Sequence, residues 1–378
     1  MYISITGYEA LCNLGNNIDI IYEKALKGDT SCFKDSDIYI QEKLIRIGEI
    51  NCELPNIPDL DFNTRCNCLL LKILELLNDK ILRMLTKYPS DRIGIIAATT
   101  NSGVEEYEVS CNQMHAELGN PAYFLMRHLG LKGFQASVST ACASGIKAFS
   151  LARDLINSNI ADAVITAHVD SLAKVPIYGF NSLELLSSEP SIPFSKNRIG
   201  MNIGEACAVF ILEKNAETGI NIMGIGESSD IYHTTTPDPY GKAAVMAIKI
   251  ALEDAKIKPS DIDYINAHGT GTLSNDIMEA NAIAEIFKDK VPVSSTKPLT
   301  GHCLGAAAGI ETALCCKLLN DFRGKLYPHL YDENYDDALP SLKLVKKNEN
   351  YSQCKICMCN AFGFGGTNAI LILGKNNG

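Results

Sequence analysis

Short apolar runs alternate with amphipathic stretches along this 378-residue chain. Runs of strand length occur at 92–100 (RIGIIAATT), 134–140 (FQASVST), 161–170 (ADAVITAHVD) and 291–297 (VPVSSTK). Compact apolar runs bounded by turn residues predict strands. Residues 65–87 and 243–255 instead carry leucine, isoleucine and alanine at helical spacing, which predicts helices with one buried face. MYISITGYEA reads as an opening strand and GEACAVFILEK (204–214) as a hairpin-like stretch. Residues 262–272 read as a strand ending in a glycine loop, and 355–373 as strand, glycine loop, strand. Strands alternating with helices predict an α/β fold.

The order repeats. SVSTACASGIKAFSLARDL and VSSTKPLTGHCLGAAAGIETALCCKLL each read as strand, small-residue turn and helix. One places Cys142, the other His302, where the helix is expected to begin. Matching order predicts two similar halves, 1–215 and 216–378, packed sheet to helix to sheet with their loops at a shared site.

Composition then removes several classes of function. With 46% hydrophobic and 21% charged residues, the chain carries a core and is not of the disordered type. A formal net charge of −10 argues against general nucleic-acid binding, while leaving room for a local basic patch that meets an acidic protein. No stretch approaches 18 charge-free apolar residues, and the start lacks the basic-then-apolar order of a signal peptide, so neither a membrane span nor a leader is expected. The 14 cysteines do not follow a zinc-ribbon pattern. Cys66, Cys68, Cys315 and Cys316 sit in apolar runs, and Cys354, Cys357 and Cys359 fall in an alternating, strand-like segment. They read as core thiols of a protein in the reducing cytoplasm.

The candidate chemistry lies in loops at strand ends. Ser139–Gly145 (STACASG) puts Cys142 between an apolar strand and a helix, where the helix dipole favours thiolate. A buried core thiol is the commoner reading of such a cysteine taken alone. Asn266–Thr272 (NAHGTGT) delivers His268 into glycines and threonines, with a satisfied structural histidine as the competing reading. Ser295–His302 (STKPLTGH) brings Lys297 and His302; a cation is disfavoured at a helix start, so His302 is expected to stay neutral. Lys297 is either solvated or paired with an acid, Glu311 being one candidate. Phe362–Asn368 (FGFGGTN) lies between two strands and lacks the dinucleotide glycine pattern, but its amides suit an oxyanion. A thiol, two histidines and a lysine in small-residue loops at strand ends form the set expected of covalent catalysis.

The four loops, in this order, resemble the elongating-type β-ketoacyl-[acyl-carrier-protein] synthases, most strongly from about 92 to 373. Pro193–Arg198 followed by Gly204-Glu205-Ala206 is similar to a further segment of that family. The resemblance implies the thiolase fold, two duplicated βαβ-type halves in an αβαβα arrangement, in a homodimer. It implies that Cys142 takes an acyl chain from the phosphopantetheine of an acyl carrier protein. His268 and His302 would bind a malonyl thioester and promote its decarboxylation, supported by Lys297 with Glu311 nearby. Thr270 and Thr272 would position the carrier arm, the amides of Cys142 and Phe364 would form the oxyanion hole, and Phe362 and Phe364 would line and gate the acyl site. It implies no metal or redox cofactor. Arg65, Lys196 and Arg198 are candidates for docking the carrier, with ordinary surface bases as the alternative.

The chain is condensed between Thr100 and the nucleophile loop and between Ser171 and Pro193, and Arg198 is followed by Ile-Gly-Met. These departures leave ordinary fatty-acid elongation and a specialised polyene or polyketide pathway both open. Two rivals share the fold: an acyltransferase that uses coenzyme A, and a non-catalytic chain-length subunit, which would be expected to lack the thiol. A metal site of His268, His302 and Cys303 has no support from ligand spacing.

Overall fold

The computed structural model describes residues 3–41, 43–214, 216 and 218–375. Residues 1 and 2 of the expected first strand, and residue 215 at the expected boundary between halves, lie outside the described residues. Ten strands form two runs of five. In the first half these are β1 (Ile3–Cys12), β2 (Ile93–Ala98), β3 (Gln135–Val138), β4 (Ala163–Asp170) and β5 (Ala206–Lys214). In the second they are β6 (Ile220–Ser229), β7 (Tyr264–Asn266), β8 (Pro292–Ser294), β9 (Ile356–Phe362) and β10 (Thr367–Lys375).

The first half runs β1-β5-β4-β2-β3 and the second β6-β10-β9-β7-β8, with the short strand Lys343–Leu344 beyond β8. The pairing is the same in both: β1–β5 and β5–β4 antiparallel, β4–β2 and β2–β3 parallel, then β6–β10 and β10–β9 antiparallel, β9–β7 and β7–β8 parallel. The duplication predicted from element order is therefore present in strand order and direction. A brief antiparallel contact of β1 with β6, Ser4 against Asn221 and Ile5 against Ile220, joins the runs.

Five helices complete the layers: α1 (Arg65–Lys87), α2 (Ser144–Asn157), α3 (Lys242–Ala255), α4 (Leu273–Phe287) and α5 (Ala307–Asn320). α1 packs on β1, β4 and β5, and α3 packs on β6, β10 and α4. α2 and α5 touch each other and strands of both halves, so they form the middle layer. Their interior position explains their sequences. α5 buries residues all round, from Ala307 to Leu319, as a helix between two sheets must. Gly145 of α2 and Gly309 of α5 meet closely: a Cβ on Gly145 would lie 2.8 Å from Ala308, and one on Gly309 would lie 2.5 Å from the Cβ of His168.

The sequence reading differs at two strands, and it gives no element to the helices Ile18–Lys27, Asn120–His128 and Lys174–Ser182. It took 204–214 as hairpin-like and gave no element to Ile220–Ser229, which is a ten-residue strand. Its MGIGESS end lacks a clean alternation because Gly224 and Gly226 lie under α3: a Cβ on Gly226 would come within 1.9 Å of the Ala247 carbonyl. The thiols follow the reading, and all fourteen cysteines are free. Among the described residues no helix is long and apolar enough to cross a membrane.

Candidate active site

β3 ends at Val138, and Cys142 lies in the turn before α2. The turn is sharp: Ala141 holds φ +51°, a left-handed value that costs a residue with a Cβ about 1 kcal/mol. Ser144 holds this elbow, its hydroxyl donating to Ala141 O (2.6 Å) and accepting from Thr140 N (2.8 Å). The counterpart strand β8 leads to a short helix Lys297–Thr300 and then His302. A 3-10 turn, Leu304–Ala306, precedes α5, so His302 stands five residues ahead of the α-helix proper.

The two turns converge. Cys142 Sγ lies 3.0 Å from His302 Nε2, and the rings of His268 and His302 are 5.3 Å apart and nearly perpendicular. Lys297 Nζ lies 3.2 Å from His268 Nδ1 and donates to Glu311 Oε1 at 2.5 Å. Cys142, His268, His302, Lys297 and Glu311 are all buried, with at most 6% exposure. Phe362 packs edge-on to His268, and Phe364 packs against Phe180.

Burial sets the protonation states. Burial, then Lys297, then His302 hold His268 well below its ordinary value; burial and Lys297 do the same for His302. Both imidazoles are neutral, as expected for His302. An ammonium beside His268 Nδ1 must donate, so the His268 proton sits on Nε2 and faces the cavity. Burial pushes the Cys142 thiol up to about 12, against the pull of Lys297, so the tendency of a helix start to favour thiolate has desolvation to oppose it. Desolvation of a fully buried thiol disfavours its charged form. Glu311 is pushed up to about 7 by burial, with Lys297 opposing.

Two cavities meet at Cys142, Phe180 and Phe364. One, of about 290 Å³, is lined by Thr270, Thr272, Thr234 and Asn368 as well as both histidines. The other, of about 300 Å³, is lined by Thr100, Asn101, Val104, Leu118, Val175 and Leu304. Thr270 and Thr272 share a hydrogen bond of 2.9 Å.

The glycine loop after β9 comes close to the elbow: a Cβ on Gly363 would lie 3.3 Å from Cys142 N. Asp230 N and Gly365 N pair this loop with residues 230–234, donating to Gly366 O and Thr234 O at 2.7 Å each. Cys303 turns away, its thiol facing the carbonyls of Thr300 and Gly301. It does not join the histidines; Cys142 does, with ligand-type atoms of Cys142, His268 and His302 all within 4.8 Å of one another.

Two docking candidates change role. Arg198 is 4% exposed, donating to Asp336 Oδ2 at 2.7 Å with Asp276 Oδ2 at 3.6 Å. Arg65 makes a two-pronged pair with fully buried Glu205, at 2.8 and 2.5 Å. Lys196 is exposed, whereas Arg198 is an internal clamp and Arg65 is partly buried with its guanidinium tied to Glu205. Their acids lie far away in sequence, so nothing in the local pattern marks them as paired. Arg198→Ala is expected to strand Asp276 in the core and cost about 3–5 kcal/mol. Thermal unfolding would read this as a large fall in melting temperature; a changed KM for the carrier with unchanged stability would contradict it.

Other side chains that build the site were not singled out from sequence. Glu279 of α4 accepts from His268 N (2.7 Å), Gly269 N (2.6 Å) and Asn360 Nδ2 (2.9 Å). Asp276, one turn earlier, accepts from Phe194 N (2.9 Å) and Gly271 N (3.3 Å). The available signal was two acids spaced i, i+3 on a helix that directly follows a glycine loop, where they can meet its amides.

A buried thiol beside two neutral imidazoles, on the paired elbows of a duplicated α/β fold, defines a thiolase-fold condensing enzyme. The family model described as beta-ketoacyl synthase, N-terminal domain, matches residues 80–218, and the C-terminal domain model matches 220–329. The 3-oxoacyl-[acyl-carrier-protein] synthase 2 of Staphylococcus aureus (strain COL) is 30% identical over 410 residues, covering 99% of this chain and 98% of that protein. The enzyme of that name from Coxiella burnetii is 38% identical over 263 residues, 65% of this chain and 63% of its own. Among solved structures, the ketosynthase ApeO in complex with its chain length factor ApeC, from Xenorhabdus doucetiae, is 36% identical with a TM-score of 0.94, covering 99% of this chain and 98% of that one. The chain belongs to the β-ketoacyl synthase family. It is a condensing acyltransferase of the 3-oxoacyl-[acyl-carrier-protein] synthase kind.

Proposed function

We propose that Cys142 carries the acyl chain and that His268 and His302 drive decarboxylative condensation with a malonyl thioester. The observation that carries this reading is the 3.0 Å contact of Cys142 Sγ with His302 Nε2, at the point where the two cavities meet. In the first step Cys142 attacks the acyl-carrier thioester; the acyl–sulfur bond to the carrier breaks, and the carrier thiol leaves with the proton. His302 Nε2–H donates to the sulfur as charge gathers there, which a thiol held at about 12 requires.

In the second step the malonyl carbonyl oxygen accepts from Nε2–H of His268 and His302. The bond to the carboxylate breaks, carbon dioxide leaves, and the electron pair forms an enolate. The enolate attacks the acyl-Cys142 carbonyl, and the amides of Cys142 and Phe364 hold the oxyanion, worth several kcal/mol in such sites. Collapse releases the β-ketoacyl carrier thioester and Cys142, which takes up a proton.

The threonine-lined cavity suits the carrier arm, with Thr270 and Thr272 positioning it; the cavity at Leu118 and Val175 suits the acyl chain, with Phe362 beside His268 and Phe364 as its gate. Lys297 fixes the tautomer of His268, and Glu311 balances the lysine charge. The malonyl carboxylate supplies the electron pair, so the steps as written call for neither a metal nor a redox cofactor. Incubation with acyl-carrier and malonyl-carrier should yield β-ketoacyl-carrier and carbon dioxide. Efficient turnover with acyl-coenzyme A but not acyl-carrier would favour the rival acyltransferase.

The likeness to ApeO favours a two-subunit enzyme with a related chain-length partner over the homodimer. Apolar side chains that line the acyl cavity stand exposed, Val175 at 55% and Leu118 at 38%, which suits a covered face. A chain that runs as a catalytically complete homodimer in light scattering would overturn the two-subunit reading. Lys196 is the remaining docking candidate, the free thiols suit the reducing cytoplasm, and polyene or polyketide elongation is favoured over bulk fatty-acid synthesis by the same likeness.

The pH dependence follows from Glu311. Acidification through about 7 protonates it and removes the anion that balances Lys297, so the condensation rate should fall. The effect on stability has the opposite sign. The folded state holds this proton more tightly than the unfolded chain, whose carboxyl stays near the ordinary 4.5, so this group's contribution to stability rises as pH falls from about 7 towards that value. Loss of rate on mild acidification is thus separable from unfolding, and a rate flat for about one unit either side of 7 would contradict the assignment.

A further inference from the structure

Asp170 ends β4 and is fully buried. Its carboxylate accepts from Thr99 Oγ1 (2.7 Å), Thr100 Oγ1 (2.7 Å), Thr100 N (2.9 and 3.1 Å to the two oxygens) and Asn101 N (3.1 Å). It also accepts from Gly305 N at 2.7 Å. The first set belongs to the loop after β2, whose Thr100 and Asn101 line the acyl-side cavity. The last belongs to the turn that follows His302. In that turn Leu304 lines the same cavity and holds φ +52°. Gly305 has no room for a side chain: a Cβ would lie 2.8 Å from Asp170 Oδ2 and 2.9 Å from Thr100 Cγ2.

One carboxylate therefore holds a wall of the acyl cavity, from the first half, and the His302 turn, from the second. Every group that reaches it is a donor, so only an acceptor with two oxygens serves both sides. An asparagine would turn an NH₂ towards one set.

We propose that Asp170 is a positioning residue that couples the wall of the acyl cavity to the placement of His302, so that chain-length preference and decarboxylation are set through one group. The proposal rests on the roles given above to Cys142 and His302. A displacement of Thr100 by a bound chain is transmitted through Asp170 to Gly305, three residues from the imidazole.

Thr100→Val tests it with little change in volume, because it removes the Oγ1 bond to Asp170 while keeping the Cγ2 methyl that faces Gly305. Two quantities are read. One is the rate of Cys142 acylation by carrier-bound chains of graded length, by intact mass. The other is decarboxylation of malonyl-carrier by the unacylated enzyme, in which malonyl-carrier and a proton give acetyl-carrier and carbon dioxide. Loss of a hydrogen bond to a charged group predicts changes of about tenfold. The expected result is a shift of that order in the ratio of long-chain to short-chain acylation, a comparable slowing of decarboxylation, and recovery of both in Thr100→Ser. Asp170→Asn should show the same pair of effects, larger.

A shifted chain preference with decarboxylation within about twofold of the parent, less than a lost hydrogen bond to a charged group should cost, would overturn the coupling. So would equal losses at every chain length with a lowered melting temperature and no recovery in Thr100→Ser, which is the signature of a structural role alone. If the parent enzyme itself took no acyl chain on Cys142, the reading of the site would fail first, and the coupling with it.

Discussion

Cys142→Ala enzyme, incubated with acyl-carrier substrates of graded length, is expected to show no acyl adduct by intact mass, and its condensation rate should fall by about 10³-fold or more. The size follows from the arrangement. The oxyanion amides and both imidazoles survive the substitution, so substrate still binds and malonyl thioester can still lose carbon dioxide. What is lost is the covalent acceptor, and no other thiol can replace it. Cys303 adjoins His302 in sequence but faces the Thr300 and Gly301 carbonyls, and burial holds its thiol well above the ordinary value. An adduct that persists in Cys142→Ala would refute the assignment. In the parent protein, the chain length that loads fastest reports the depth of the cavity behind Phe364.

The second large effect concerns Lys297. Lys297 and Glu311 form an ion pair at 2.5 Å with 1% exposure on each side. Removing one partner leaves a charge with no solvent and costs about 3–5 kcal/mol. Lys297→Ala is therefore expected to destabilise the fold as well as abolish decarboxylation. The double variant Lys297→Met/Glu311→Leu separates the two effects. An apolar pair of similar volume is close to neutral for stability, so its melting temperature should return towards the parent value. Activity should not return, because His268 Nδ1 has lost the donor that fixes its tautomer. A double variant that regains condensation would show that Lys297 serves only the packing.

The four loops were legible because each ends a predicted strand and is written in small residues that bring chemistry-bearing side chains to one place. The duplicated order was legible for the same reason, and it set Cys142 and His302 in equivalent turns. What escaped was long-range pairing. Arg65 and Arg198 look like surface bases until Glu205, Asp276 and Asp336 are seen beside them. Nothing local marks Asp170 at the end of its strand, since its donors come from residues about 70 and 135 positions away. The desolvation of the thiol escaped as well, because a helix terminus is a local feature, whereas desolvation depends on the whole surrounding core.

The matched strand order of the halves has one more consequence. The chain is in effect a dimer joined into one polypeptide. Two free copies of a half would have to carry the same side chain at both elbows. Joined copies need not, so a substitution in one is not repeated in the other. That freedom is what allows a sulfur to occupy one elbow and an imidazole its twin, giving an acid–base partner to a nucleophile that a symmetric pair of thiols or a symmetric pair of histidines would lack.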